Sequence, residues 1–158
     1  MTNPPDYMPA LLTPFTRAGQ LDVKAFQGNV RILAETGMKG FVIGGSNGEG
    51  AYLEPGERAK LVASVRRRKA HLMVGINGES TRQALTQVRE VEEAKADSVL
   101  VITPTTAARG REDAMLDHYR TIADEARIPV FLYSVPLVTA YSLPVSLVAK
   151  LAKHHKIV

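Results

Sequence analysis

Cysteine is absent from the 158 residues, which removes disulfides and thiolate metal sites and leaves no means of stapling the chain in an oxidising compartment. A cytoplasmic setting is the expectation that follows. Long apolar runs are missing too. No stretch approaches the roughly 18 apolar residues of a membrane span, and Met1-Thr2-Asn3-Pro4-Pro5-Asp6 has neither the basic nor the apolar region of a secretory signal. A soluble protein with no membrane partner is expected. The four histidines, His71, His118, His154 and His155, lack metal-ligand spacing with a second His or acid, so no metal is expected, and His154-His155 reads as a solvated helix end. Charge of one sign is scarce: 20 basic against 16 acidic residues give +4. The one dense basic cluster, Arg66-Arg67-Arg68-Lys69, has no interleaved aromatics and reads as a solvated helix C-terminus rather than a nucleic-acid patch. No linker or low-complexity segment divides the chain, and its length suits one domain over residues 1–158.

What is present is a repeat of short apolar runs: Pro9-Ala10-Leu11-Leu12, Gly40-Phe41-Val42-Ile43-Gly44, Leu72-Met73-Val74-Gly75-Ile76, Ser98-Val99-Leu100-Val101-Ile102, Pro129-Val130-Phe131-Leu132-Tyr133 and a last stub, Ile157-Val158. The middle four lack polar alternation, as strands do when both faces of a parallel sheet are covered by helices. Helical patterns fill the gaps. Asp22 is placed to cap a helix with Phe26, Val30, Leu33 and Ala34 on one face and Gly37 as its stop. Glu54-Pro55-Gly56-Glu57 puts Pro at a first helical position and an acid in the first turn. Ser80 and Gln83 form a capping box ahead of Leu85, Val88 and Val91. A fourth helix runs from about Arg111, burying Leu116, Tyr119, Ile122 and Ala126, and a fifth starts near Pro144. The order is β-α five times with the start of a sixth strand, which fits a doubly wound sheet or an eight-fold barrel alike. A complete barrel needs about 250 residues.

In both architectures the chemistry sits just after the strands. After the second run comes Gly44-Gly45-Ser46-Asn47-Gly48-Glu49-Gly50, a loop that is either a simple tight turn or an anion site of exposed N–H groups with Ser46 and Asn47 as added donors. No Gly-Lys-Ser/Thr follows, so it is not a Walker loop. The fifth run ends in Tyr133, whose hydroxyl either passes protons at a site mouth or simply hydrogen-bonds while its ring packs.

Four segments, Leu12-Thr13-Pro14-Phe15, Gly45-Ser46-Asn47-Gly48-Glu49, Val101-Ile102-Thr103-Pro104 and Leu132-Tyr133-Ser134-Val135-Pro136, give the whole chain a resemblance to the pyruvate-dependent class I aldolase and lyase family that contains dihydrodipicolinate synthase, N-acetylneuraminate lyase and 4-hydroxy-2-oxoglutarate aldolase. The wording of the second and last segments leans toward the 4-hydroxy-2-oxoglutarate or 2-keto-3-deoxy sugar acid aldolases. The resemblance implies an incomplete (β/α)8 TIM barrel of about five βα units plus the start of strand six. It also implies chemistry in which a lysine amine forms an imine with pyruvate, the protonated imine acting as electron sink for cleaving or forming a C–C bond to an aldehyde, without cofactor or metal. By position Ser46 and Asn47 would bind the pyruvate carboxylate, and Tyr133 would relay protons. The implied partners are a small 2-oxo acid, pyruvate or a precursor, and an aldehyde, in a homo-oligomer.

Three departures qualify that transfer. The family's imine lysine lies on strand six, in a Gly-x-Lys segment that would begin immediately after Val158. None of Lys150, Lys153 and Lys156, which belong to the preceding helix and its exit, substitutes for it. The 158 residues alone are therefore expected to be inactive, as the N-terminal part of an aldolase. Thr105-Thr106 stands where many members carry an aromatic pair that helps the proton relay. Pro136-Leu137-Val138-Thr139-Ala140 lacks the cation that dihydrodipicolinate synthases use for their second substrate's carboxylate. The alternatives are a dihydrodipicolinate synthase-like fragment, a non-catalytic truncated homologue that self-associates through an open barrel edge, and a piece too wet on its apolar faces to fold stably.

Overall fold

The computed structural model describes residues 4–66, 69–106 and 110–158; Met1–Asn3 of the N-terminal stretch and Arg67 and Arg68 of the basic cluster lie outside the described residues. One sheet is built from β1 (Gly40–Ile43), β2 (His71–Ile76), β3 (Ser98–Ile102) and β4 (Val130–Tyr133), all parallel and in the spatial order β1-β2-β3-β4. The helices between and around them are α1 (Val23–Glu35), α2 (Glu57–Val65), α3 (Thr81–Glu93), α4 (Glu112–Glu125), a single turn α5 (Pro136–Thr139) and α6 (Val145–Leu151). Each strand joins the edge left by its predecessor. A doubly wound sheet reverses that progression at a switch point, whereas a barrel never does. The choice left open by the order of units therefore falls to a partial α/β barrel.

The first and last apolar runs flank this sheet as single bridges rather than strands. Ala10 bridges Val42 in parallel, with Leu11 N donating to Val42 O at 2.9 Å and Val42 N to Pro9 O at 2.9 Å. Pro9 has no N–H to extend that ladder, and Pro14 stops it from the other end. Ile157 bridges Val130 on the far side of β4, where Val130 N donates to Lys156 O at 2.8 Å and Val158 N to Val130 O at 3.1 Å. All six runs thus lie side by side in chain order. The two inner strands are buried nearly throughout, as unbroken apolar runs should be when both faces are covered.

Most helix ends fall where the residues place them. Asp22 Oδ1 accepts from Ala25 N at 2.9 Å, and Phe26 and Val30 turn into the core with Leu33 and Ala34 half-buried beside them. The Ser80–Gln83 capping box is complete, and Val88 and Val91 are buried below it. In α4, Met115, Tyr119 and Ile122 are buried, with Arg111 at the N-cap. The start of α2 differs from expectation. Pro55 lies in a turn, and Gly56, with φ of 83°, bends left-handed before the helix opens at Glu57. Glu57 still works at the N-terminus, its carboxylate accepting from Glu54 N at 2.9 Å.

Two expected solvated ends turn out to be tethers. Arg66, the C-cap of α2, donates to Lys95 O and Ala70 O at 2.9 Å each and pairs with Asp97, whose carboxylate also accepts from Leu72 N at 2.8 Å. His154 is half-buried, with Nε2 3.1 Å from Asp124 Oδ1 and its ring stacked on His155. Among the described residues, no helix is long and apolar enough to cross a membrane.

The cap of α1 gives a direct check on this account. Asp22→Ala removes the side-chain acceptor and is expected to cost about 1 kcal/mol of stability, read as a lower urea midpoint at unchanged slope. An unchanged midpoint would mean that the Asp22 bond contributes nothing to folding.

Candidate active site

The C-terminal ends of the strands carry a set of loops tied to one another mostly through backbone carbonyls. Thr13, buried after the first run, donates its hydroxyl to Gly48 O at 2.6 Å and so fastens the first loop to the second. The second loop leaves β1 through Gly44 at φ 63° and folds on itself: Gly48 N and Gly50 N donate to Gly45 O at 3.0 and 3.1 Å, and Glu49 N to Ser46 O at 3.2 Å. A 3-10 turn, Gly50–Tyr52, follows. Ser46 and Asn47 are exposed at the tip, and among the described residues their N–H groups have no partner. The loop lies hard against β2. A Cβ at Gly50 or at Gly75 would collide with the Gly44 carbonyl oxygen, so glycine at both positions is what allows this approach.

Arg58, on the first turn of α2, holds that junction from beneath. It is 2% exposed, with Nη2 donating to Gly50 O and, at 3.3 Å, to Asn77 Oδ1, while Nε donates to Gly75 O at 3.2 Å. Burial pulls its pKa below the ordinary arginine value, opposed by the charges of Glu90 and Glu57. Three fixed acceptors keep the buried guanidinium in place.

After β2, Glu79 reaches the loop after β3. Thr105 Oγ1 donates to its Oε1 at 2.8 Å and Thr106 Oγ1 to its Oε2 at 3.0 Å, and the two backbone N–H groups donate as well, Thr105 N to Oε2 at 2.9 Å and Thr106 N to Oε2 at 3.2 Å. Burial alone would raise the carboxyl; the Thr105 and Thr106 hydrogen bonds outweigh it and set Glu79 below the usual glutamate value. Thr103, one residue beyond β3, is fully buried with its hydroxyl unpartnered among the described residues.

A cavity of about 240 Å³ opens here, with Ser46, Asn77, Glu79, Ile102, Thr105 and Val138 among its walls. Of the three residues singled out from sequence, Ser46 lines it. Asn47 follows at the loop tip. Tyr133 ends β4 in register with Ile102, half-buried, beside the cavity rather than among its lining residues. A larger hollow, about 420 Å³, lies between α1 and α2 around Lys24, Gln27 and Ser64, away from every strand end. Arg58 and Glu79 were not foreseen. An arginine in a helix's first turn and a glutamate before a capping box both look like surface residues in one sequence; only the glycines packed above Arg58 hint that something must hold them.

A family model described as the dihydrodipicolinate synthetase family matches residues 3–158. The chain belongs to that family. It is similar to the 4-hydroxy-tetrahydrodipicolinate synthase of Methanosarcina mazei, 34% identical over 152 residues that make up 96% of this chain and 52% of that protein. It is also similar to 4-hydroxy-tetrahydrodipicolinate synthase 1 of Streptomyces coelicolor, 35% identical over 94% of this chain and 50% of that protein. Among solved structures, dihydrodipicolinate synthase from Acinetobacter baumannii, complexed with pyruvate, superposes with a TM-score of 0.89 at 27% identity, covering 96% of this chain and 53% of that one. The chain spans about half the length of the relatives it matches. Members of the dihydrodipicolinate synthetase family are aldolases and lyases, which agrees with the resemblance carried by the four segments.

His118 offers a test of the packing behind the cavity. This α4 residue is buried, with Nδ1 3.0 Å from Thr81 Oγ1 and Nε2 unpartnered among the described residues. Burial lowers its pKa from 6.5 to about 4, against the pull of Glu79. The folded chain keeps the imidazole neutral where the unfolded chain protonates it. Its contribution is therefore complete above pH 6.5 and is lost as pH falls from 6.5 toward 4. The expected slope from this residue is at most about 1.4 kcal/mol per pH unit. Denaturant midpoints of wild type and His118→Gln across that window check it; equal slopes would refute the assignment.

Proposed function

We propose that this chain is the N-terminal portion of a single barrel domain in a class I, Schiff-base aldolase or lyase that reversibly joins or cleaves a 2-oxo acid and an aldehyde. The observation that carries the reading is the second loop, where Ser46 lines the cavity and where, among the described residues, the N–H groups of Ser46 and Asn47 have no partner. An α-keto carboxylate needs such a set of donors. Tyr133 ends β4 in register with Ile102, a residue that lines the cavity, which supports a role for it beside a bound ligand.

In this reading Ser46 and Asn47 hold the carboxylate at the pyruvate end of a 4-hydroxy-2-oxo acid so that its ketone faces an amine. Loss of water gives the protonated imine. The imine then draws the electron pair of the breaking C–C bond into an enamine, and the leaving fragment departs as the aldehyde once its hydroxyl proton is taken up. Tyr133 carries that proton and returns one to the enamine carbon. The amine is expected from a lysine on a strand following Ile157, because Lys150, Lys153 and Lys156 lie on α6 or just past it. The wording of Gly45-Ser46-Asn47-Gly48-Glu49 and Tyr133-Ser134-Val135-Pro136 leans toward an aldolase of the 4-hydroxy-2-oxoglutarate or 2-keto-3-deoxy sugar acid type, and the absence of a cation from Leu137 to Ala140 argues against dihydrodipicolinate synthesis, the activity in the names of the relatives. The partner molecules are accordingly pyruvate or its precursor and an aldehyde, and the active form is a homo-oligomer in the cytoplasm.

Borohydride reduction in the presence of pyruvate is the decisive test. The full-length gene product is expected to gain a covalent pyruvate adduct on one lysine, and residues 1–158 alone are expected to gain none. In the full-length protein Tyr133→Phe should slow turnover about 100-fold, while Ser46→Ala should act chiefly by raising KM for the 2-oxo acid. A full-length protein that forms no adduct is not a Schiff-base aldolase.

A further inference from the structure

We propose that the corner of the cavity built from Glu79, Thr105 and Thr106 selects an uncharged, hydroxyl-bearing aldehyde and rejects one that carries a carboxylate; this deepens the Schiff-base aldolase reading and rests on it. The argument begins with where the protons are. A threonine hydroxyl has one proton to give and two lone pairs to offer. Thr105 Oγ1 gives its proton to Glu79 Oε1 at 2.8 Å, and Thr106 Oγ1 gives its own to Oε2 at 3.0 Å. Both backbone N–H groups are spent on the same carboxylate, at distances from 2.9 to 3.2 Å. What remains to face a ligand at Thr105, which lines the cavity beside Glu79, is lone pairs.

A group that enters this corner therefore meets acceptors and negative charge. A substrate hydroxyl can donate to Thr105 Oγ1 and is stabilised there. A substrate carboxylate can donate nothing and faces Glu79, with Glu49 as a second carboxylate in the same lining. The hydrogen bonds that hold Glu79 below the usual glutamate value keep it ionised at neutral pH. The described lining residues include no lysine or arginine. The cation just behind them, Arg58, is 2% exposed and commits Nε and Nη2 to Gly50 O, Gly75 O and Asn77 Oδ1. Attraction for one ligand class thus comes from Thr105 and repulsion of the other from the Glu79 that orients it, with Glu49 beside them. Thr105 is the specificity-determining residue, and Glu79 is a positioning residue that fixes the direction of its proton.

The experiment compares two aldehydes in pyruvate condensation by the full-length gene product: glyceraldehyde, neutral and hydroxylated, and glyoxylate, which carries a carboxylate. The expected ratio of kcat/KM favours glyceraldehyde by about 10-fold or more. Thr105→Val should lower that ratio about 10-fold and Thr105→Ser should restore it. Glu79→Gln, which swaps an acceptor-only group for one that also donates, should shift the ratio toward glyoxylate; a residue that served only to hold the loop together would lower both values and leave the ratio fixed. Preference for glyoxylate, or a ratio unmoved by Thr105→Val, overturns the inference. Borohydride trapping with pyruvate alone separates the two levels: an adduct together with an unmoved ratio refutes the selection while leaving the aldolase reading intact, and no adduct refutes both.

Discussion

The approach of the Gly44 carbonyl to β2 is the constraint around which the rest of the mouth is arranged. Gly75 lets β2 pass beneath that oxygen and Gly50 lets the second loop close over it, since a methyl group at either place would overlap it. Backbone brought so close leaves carbonyls that water cannot reach, and buried acceptors without donors are costly. Arg58 answers that need for Gly50 O and Gly75 O together, with Asn77 Oδ1 as a third partner. Burying a guanidinium is itself expensive, several kcal/mol before compensation. The exchange is worthwhile only because the planar fork meets acceptors whose positions the sheet has already fixed. Everything above it, including the N–H groups of Ser46 and Asn47, which have no partner among the described residues, inherits its geometry from that junction.

The sheet determines which residues share this mouth. In a singly wound order each strand delivers its next loop to the same end, one strand spacing further round. Thr13, the Ser46 loop, Asn77 and Glu79, Thr105, and Tyr133 come from five successive strand ends, far apart in sequence. Their proximity follows from register: Ile43 pairs with Val74, Ile76 with Val101 and Ile102 with Tyr133. A slip of one residue along β3 would turn Ile102 away from the cavity and carry Thr103 and Thr105 with it.

Much of this was legible in the residues. Apolar runs without alternation gave parallel strands, and Asp22 and the Ser80–Gln83 pair gave two helix starts, because those signals are local and each has a single good physical solution. Looking just past each run singles out Ser46, Asn47 and the strand-end Tyr133, and of these Ser46 lines the cavity. The errors came where two local solutions compete. Pro55 suits a first helical position or a turn, and the left-handed Gly56 beside it decided for the turn. Arg66 and His154 were read as solvated ends because a helix C-terminus favours cations in water. Their tethers to Asp97 and Asp124 lie 31 and 30 residues away in sequence, beyond any local signal. Arg58 and Glu79 were unread for the same reason, their partners being carbonyls and threonines of other loops.

The threonine pair shows how far a departure from pattern can be taken once its surroundings are known. In sequence, Thr105-Thr106 signified only the loss of phenols from a proton relay. In the fold the same two residues surrender their protons to Glu79, so they could not relay a proton without first breaking those bonds. A relay needs a hydroxyl that can donate and accept in turn. These hydroxyls are locked as donors on one side and left as acceptors on the other, which suits them to recognising a ligand and unsuits them to moving its protons. In the proposed mechanism proton transfer is then left to Tyr133, which ends β4 across from Ile102 and whose hydroxyl has no partner among the described residues.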